Sequence, residues 1–406
     1  MFFPALVRSS EVTLKALLLS TAFVFAALAA LTFVRAPDTM LAWKLALLAG
    51  EYGHWMVLPV VIIALWASTV MAGVSRTLTL VFCVMAMVGF LHPVFAARRI
   101  AARLPAELSA ALGTEISLSP PLELKSLFHA AATPAARVTT EIFARPGERD
   151  LRLDFYQSSS AKDTFQRPRP CVIVIHGGGW DNGDRTQLSA WNSHLVTRGY
   201  AVAAISYRLA PQFTWPAQRD DVLAAIAWLK GNAAKLEIDP TRLALLGRSA
   251  GGQIATAVAY SAHDPAIRGV IALYAPHDMP FTWSVSREDD ALNSIKLFRQ
   301  YFGGAPDTPE RRSLYESASG QLLATADSPP TLLVHGVPDT LAWYRHSERL
   351  AARLRELGVR HYYLSLPWAT HAFDFNPHGP AGQLTGYAID TFLDKVFTPD
   401  GGSPRL

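Results

Sequence analysis

A serine framed by glycines, Gly247-Arg248-Ser249-Ala250-Gly251-Gly252, stands between two runs that call for different secondary structure. Arg242 to Leu246 is apolar and strand-like, while Gln253 to Ser261 reads as a helix. The chain must turn from strand to helix within a few residues, and the serine falls on the bend with its hydroxyl held over the end of a sheet. Glycine is needed on either side because side chains there would run into the neighbouring helix and strand. A serine displayed in this way is the expected nucleophile of a serine hydrolase.

A second glycine-rich turn lies upstream. Cys171-Val172-Ile173-Val174-Ile175 is a continuous apolar run suited to a buried parallel strand, and His176-Gly177-Gly178-Gly179-Trp180 follows it directly. Bare backbone at the end of a strand can come close to a substrate and aim its N–H groups at an oxygen that becomes negative. Gly178 and Gly179, joined by Ala250 after the serine, are the expected oxyanion donors. Trp180 is the expected pocket-lining side chain.

The joint pattern of His176-Gly-Gly-Gly-Trp180, Tyr207-Arg208-Leu209-Ala210-Pro211 and Gly247-Arg-Ser-Ala-Gly-Gly252 resembles the α/β-hydrolase superfamily. Within it, the pattern is similar to the hormone-sensitive-lipase-like and carboxylesterase-like esterases. The likeness covers roughly Val138 to Phe397. It implies an α/β-hydrolase fold, a Ser–Asp/Glu–His triad in that chain order, and no cofactor. Two positions depart from the family pattern. Gln212 stands where many relatives have glutamate, and Arg248 replaces the usual acidic residue before the serine. Both changes are expected to act on pocket electrostatics and not on the catalytic groups.

That chain order places the acid and base downstream of Ser249. Pro330 to His335 is an apolar strand, and Asp339 lies on the loop leaving its carboxyl end, where a carboxylate can hold the tautomer of a histidine. Asp278, after the strand Val270 to Tyr274, is the alternative acid; Asp374 reads as loop or pocket structure. Among twelve histidines, His371 follows the last expected strand, His361 to Leu366, and precedes the closing helix Gly382 to Phe397. It is the expected base. His176 and His335, at strand ends, are expected to fix loops, and His346, His361 and His378 have no motif behind them. An ester would then be attacked by Ser249 as His371 takes its proton, and water would release the acyl group. The alternatives are an acyltransferase using the same acyl-enzyme and a silent membrane scaffold wearing the fold.

The N-terminal hundred residues are different material. Ala16 to Val34, Trp55 to Ser75 and Thr77 to Ala97 are each long and apolar enough to span a bilayer. Met40 to Gly50 is too short to cross and is expected at the interface or as an extension of the second span. The first span could be a signal peptide cleaved near Ala27-Leu28-Ala29, but its length and the spans after it favour an uncleaved anchor. Three spans put Arg35, Lys44, Arg98, Arg99 and Arg103 on the hydrolase side against Arg8, Lys15 and Arg76 on the other. The positive-inside rule then favours a multi-pass protein with a cytoplasmic catalytic domain.

The expected organisation is a transmembrane region over 1–100, a proline-containing linker over 101–137 and an α/β-hydrolase domain over 138–398. The domain's mostly parallel sheet would be covered by helices on both faces. Residues 276–329 form a possible lid insertion carrying Phe281, Trp283, Phe298, Tyr301 and Phe302, and 399–406 a tail. Partners implied are a small-molecule or lipid ester and the bilayer. No basic stripe with interleaved aromatics suggests nucleic acid, and no metal-ligand spacing or dinucleotide fingerprint occurs. Cys83 and Cys171 are not expected to pair.

Overall fold

The computed structural model describes residues 3–113, 120–129, 136–159, 165 and 167–398. The expected tail, 399–406, and parts of the expected linker, 114–119 and 130–135, lie outside them. Among the described residues eight strands form one sheet: β1 Arg137–Ala144, β2 Leu151–Gln157, β3 Arg169–Ile175, β4 Ala201–Ile205, β5 Ile238–Arg248, β6 Ile267–Leu273, β7 Thr331–Gly336 and β8 His361–Leu366. Their spatial order is β1-β2-β4-β3-β5-β6-β7-β8. β1 and β2 run antiparallel at one edge, and all neighbours from β4 to β8 are parallel.

The sheet is buried on both faces because the middle stretches of its inner strands, such as Cys171 to Ile175 and Leu243 to Leu246, are continuously apolar. In β3, Cys171, Ile173 and Ile175 enter one core while Val172 and Val174 enter the other. The strand's twofold alternation thus feeds two apolar layers. Each layer is covered by helices, numbered here after three N-terminal ones, α1 Phe3–Ala30, α2 Met40–Val70 and α3 Gly73–Leu112. They are α4 Ser189–Thr197, α5 Ala217–Gly231, α6 Ala233–Leu236, α7 Ala250–Ser261, α8 Met279–Val285, α9 Ser294–Phe302, α10 Pro309–Ser317, α11 Gly320–Leu323, α12 Arg345–Glu356 and α13 Pro380–Phe397. α5 and α7 cover the first layer, and α13 with α4 covers the second.

The N-terminal region departs from the expected division. α3 does not stop near residue 100 but continues to Leu112, capped by Gly113 in the left-handed region. Leu104, Leu108 and Leu112 recur every fourth residue, are fully buried and join the second core layer against the sheet. Pro105, inside the helix, costs about 3 kcal/mol. Burying three leucines at about 1.5–3 kcal/mol each exceeds that, so the helix runs on. Residues 101–112 are thus helix cover and not linker. Met40 to Gly50 likewise forms the first turns of α2.

α1, α2 and α3 pack closely where small residues meet. A Cβ on Gly89 would lie 2.7 Å from that of Ala29, and one on Gly53 would lie 3.3 Å from the Cα of Phe90. Thr32 donates its hydroxyl proton to the Gly89 carbonyl at 3.0 Å. Among the described residues three stretches, Val12–Ala30, Met40–Val70 and Gly73–Leu112, are long and apolar enough to cross a membrane by length and composition.

Candidate active site

Strand β5 ends at Arg248, α7 starts at Ala250, and Ser249 is the single residue between them. Its φ of 53° and ψ of −120° are strained for a residue with a side chain. The neighbouring glycines explain how so sharp a turn can pack. A Cβ on Gly247 would lie 2.1 Å from the carbonyl oxygen of Gly251, and one on Gly251 would lie 2.2 Å from that of Ile175. The Ser249 N–H donates to the Leu273 carbonyl at 2.9 Å, tying the bend to β6.

The structure brings Ser249, His371 and Asp339 together from three separate strand ends. Nε2 of His371 lies 2.9 Å from Oγ of Ser249. Nδ1 of the same ring donates to Oδ2 of Asp339 at 2.8 Å. Oδ1 of Asp339 accepts from the N–H groups of Leu341 and Ala342 at 2.8 and 2.9 Å, so the carboxylate cannot rotate freely. Burial would raise its pKa. The charge of His371, with hydrogen bonds from His335 and His371, outweighs burial and holds Asp339 well below the ordinary carboxylate range. Asp339 therefore stays ionised and holds the imidazole with its other nitrogen toward Oγ of Ser249.

The other candidate acids are engaged elsewhere. Asp278 caps α8 by accepting from the Phe281 N–H and pairs with Arg349 at 2.7 Å. Asp374 lies below the site and takes part in a network that sequence reading did not join up. Arg248 donates to Asp374 at 2.5 Å, with both side chains buried, so the arginine points into the interior and not into the pocket. The Tyr274 hydroxyl donates to the other oxygen of Asp374 at 2.5 Å, and the Trp191 indole donates to its carbonyl at 2.7 Å. A buried arginine at the end of an apolar strand needs a carboxylate partner, and that was the available signal. Gln212, the second departure from the family pattern, is exposed and accepts from Arg149 at 3.3 Å.

Removing Arg248 should leave Asp374 buried without a countercharge, which costs about 3–5 kcal/mol. Arg248→Ala should therefore lower the thermal midpoint in detergent by roughly 6–20 °C. Arg248→Leu combined with Asp374→Leu should recover most of that loss. A midpoint within about 2 °C of wild type for the single variant would show that the pair carries little stability.

The glycine turn after β3 runs beside the serine: a Cβ on Gly177 would lie 3.4 Å from that of Ser249. Gly178 and Gly179 have φ of 119° and 59°, and a side chain on Gly178 would meet the Asn182 carbonyl oxygen at 2.2 Å. Ala250, first in α7, has an N–H with no acceptor in its own helix. His176 packs flat on Tyr207 with ring centroids 4.2 Å apart, and its Nδ1 donates to the Gly177 carbonyl at 2.8 Å. His335 bonds Ser347 and the Ala342 carbonyl at 2.8 and 3.0 Å and lies 3.3 Å from Asp339. Both histidines fix loops, as their strand-end positions suggest.

Trp180 differs from expectation. It is 3% exposed, stacks on Tyr301 at 4.5 Å and donates to Oε1 of Gln253 at 2.8 Å, so its ring stiffens the glycine turn from within and offers little face to a pocket. Gln253 also accepts from the Tyr301 hydroxyl at 3.0 Å and donates to the Ala318 carbonyl at 2.7 Å. This links α7 to the 276–329 insertion. Phe298, Tyr301 and Phe302 of α9 are buried in the main core, and the insertion is packed down by these rings. The residue it brings to the glycine turn is Leu297, whose methyl would lie 3.2 Å from a Cβ on Gly179.

Cys83 and Cys171 are both free. Among the described residues no group of histidine, cysteine and carboxylate side chains has the arrangement of a metal site.

Residues 153–354 match the family model described as BD-FAE. The chain is 30% identical over 269 residues to Esterase LipQ of Mycobacterium tuberculosis, covering 64% of this chain and 63% of that protein. It is 29% identical over 277 residues to the Probable carboxylic ester hydrolase LipM of the same organism, covering 63% and 62%. The chain therefore spans less than two thirds of the length of these relatives. Among solved structures it is similar to a bacterial heroin esterase, with a TM-score of 0.58 and 21% identity over 74% of this chain and 92% of that one. The esterase LipW from Mycobacterium marinum gives a TM-score of 0.55 and 23% identity over 77% and 91%. These likenesses, with the strand order above, establish the α/β-hydrolase fold.

Proposed function

We propose that this chain is a membrane-anchored serine hydrolase that cleaves carboxylic esters through an acyl-enzyme. The observation that carries the reading is the continuous line from Asp339 through His371 to Ser249, with contacts of 2.8 and 2.9 Å. The serine proton passes to Nε2 of His371 as Oγ bonds to the ester carbonyl carbon. The oxygen made negative is held by the N–H groups of Gly178, Gly179 and Ala250. Collapse of this intermediate breaks the bond to the alcohol, which leaves with the proton from His371. Water then repeats the sequence, giving the carboxylic acid and restoring Ser249. Relatives named as esterases and as a carboxylic ester hydrolase support an ester as substrate.

The membrane part of the reading rests on the three apolar helices. α3 has 40 residues, hence a length of ~60 Å against a hydrocarbon core of ~30 Å. Its second half covers the sheet, which leaves about one bilayer thickness for the span. Arg35, Lys44, Arg98, Arg99 and Arg103 then gather at the hydrolase end, and the positive-inside rule favours a cytoplasmic catalytic domain.

The test is hydrolysis of p-nitrophenyl esters from acetyl to palmitoyl by the full chain in detergent, together with fluorophosphonate labelling mapped to a residue. Turnover, and label on Ser249, are expected; neither occurring would overturn the proposal. The chain-length optimum separates a small-ester from a lipid-ester hydrolase.

His371 must be neutral to accept the Ser249 proton. His176 and His346 should add no limb to the pH profile of kcat/KM near neutrality. Burial brings His176 down to about 4 and His346 down to about 3, and Asp339 is held low as described.

A further inference from the structure

The apolar helices do more than hold the hydrolase at a membrane. Thr39 caps α2 by accepting from the Ala42 N–H at 3.2 Å, and the first three turns of the helix lie against the loop that carries His371. In the first of those turns, the indole Nε1–H of Trp43 donates to the backbone carbonyl of His371 itself, at 3.0 Å. Two turns on, at i+7 and so on the same face, Gly50 is close to the loop: a Cβ there would lie 3.6 Å from the Trp368 carbonyl oxygen. The backbone carbonyl of the buried Glu51 accepts from the Asn376 side chain at 3.2 Å. Its side-chain carboxyl oxygen accepts from the Ala381 N–H, at the start of α13, also at 3.2 Å. Residues before, at and after His371 thus lie against the first turns of α2, and those at and after it are hydrogen-bonded to it. On the acid's side, Arg35 in the α1–α2 connection lies 3.5 Å from the carbonyl of Thr340, next to Asp339.

These contacts bear on the base because His371 is confined from two directions. The ring of Tyr274 lies 4.6 Å from the imidazole on the sheet side, and Trp43 holds the backbone of the same residue from the helix side. The left-handed φ of 63° at the next residue, Ala372, leaves the loop a tight bend just where Trp43 bonds to it. Small displacements of a catalytic group are costly, and a 1 Å misplacement can lower a rate about 10²-fold.

We infer that Trp43 is a positioning residue for His371, which makes the first turns of the second apolar helix a working part of the active site. The inference rests on the reading of His371 as the general base of a serine hydrolase. A hydrogen bond from α2 fixes the backbone from which the imidazole reaches Ser249, so losing the donor slows proton transfer without changing how substrate is held.

The test compares full-length wild type, Trp43→Phe, Trp43→His and Ser249→Ala in one detergent, with p-nitrophenyl ester turnover and hydrogen exchange of the 367–379 segment as readouts. Trp43→Phe keeps an aromatic ring and loses the donor; it should lower kcat by about 10- to 100-fold with KM within about twofold. Exchange in 367–379 should rise while the thermal midpoint stays near wild type. Trp43→His retains an N–H at similar reach and should recover part of kcat. A Trp43→Phe enzyme with kcat within about twofold of wild type, or a histidine variant no better than phenylalanine, overturns the assignment. Wild type that neither turns over ester nor takes a fluorophosphonate label is a different result. It removes the hydrolase reading itself, and Trp43 loses its role with it.

Discussion

Ser249→Ala should lower kcat for ester hydrolysis by about 10⁴–10⁶ while leaving KM and the thermal midpoint close to wild type. The size of the loss follows from the covalent mechanism proposed above. Without Oγ there is no acyl-enzyme, and His371 has nothing to deprotonate except water that is not held for attack. Residual catalysis of about 10³–10⁴ over the uncatalysed reaction would come from the oxyanion donors and from substrate binding. The fold should tolerate the change because the strain at φ 53° belongs to the backbone, which the glycines at 247 and 251 permit. Alanine occupies the Cβ position already filled by serine. The measurement is kcat and KM for the best p-nitrophenyl ester, with fluorophosphonate labelling of both proteins. Retention of more than about one per cent of kcat, with labelling at another residue, would transfer the nucleophile's role away from Ser249.

The parts of this molecule that could be read from sequence are those in which local chemistry alone fixes the geometry. A strand rich in β-branched residues followed by three glycines, or a serine between a strand and a helix, leaves the backbone few choices, and both turns stand where those patterns place them. His371 and Asp339 were legible as well, because each leaves the carboxyl end of a strand in a parallel sheet. The Arg248–Asp374 pair was not read, since its members are 126 positions apart and only the three-dimensional fold joins them. Trp180 was misread because a tryptophan after a glycine turn looks the same in sequence whether its ring faces a pocket or stacks on Tyr301. The boundary of α3 was lost to Pro105, a local signal that the burial of Leu104, Leu108 and Leu112 overrides. Trp43 carried no signal, as an aromatic residue near the start of an apolar helix is expected to meet lipid headgroups.

Asp339→Asn should cost about 10⁴ in kcat, and the surrounding hydrogen bonds give the reason. Oδ1 accepts from two backbone N–H groups, those of Leu341 and Ala342, so the amide oxygen of asparagine must take that place. The amide nitrogen then occupies the position of Oδ2, 2.8 Å from Nδ1 of His371, and presents a proton where the carboxylate accepted one. His371 can meet a donor there only by carrying its own proton on Nε2. That nitrogen faces Ser249 and can no longer act as a base. Shape and burial hardly change, so KM should remain near the wild-type value and the loss should fall on kcat. Asp278→Asn is the control, because Asp278 caps α8 and pairs with Arg349 without reaching His371. Its kcat should stay within about twofold of wild type. If the Asp278 variant loses activity and the Asp339 variant keeps it, the acid belongs to the loop after β6, and the hydrogen bond from His371 to Asp339 is only structural.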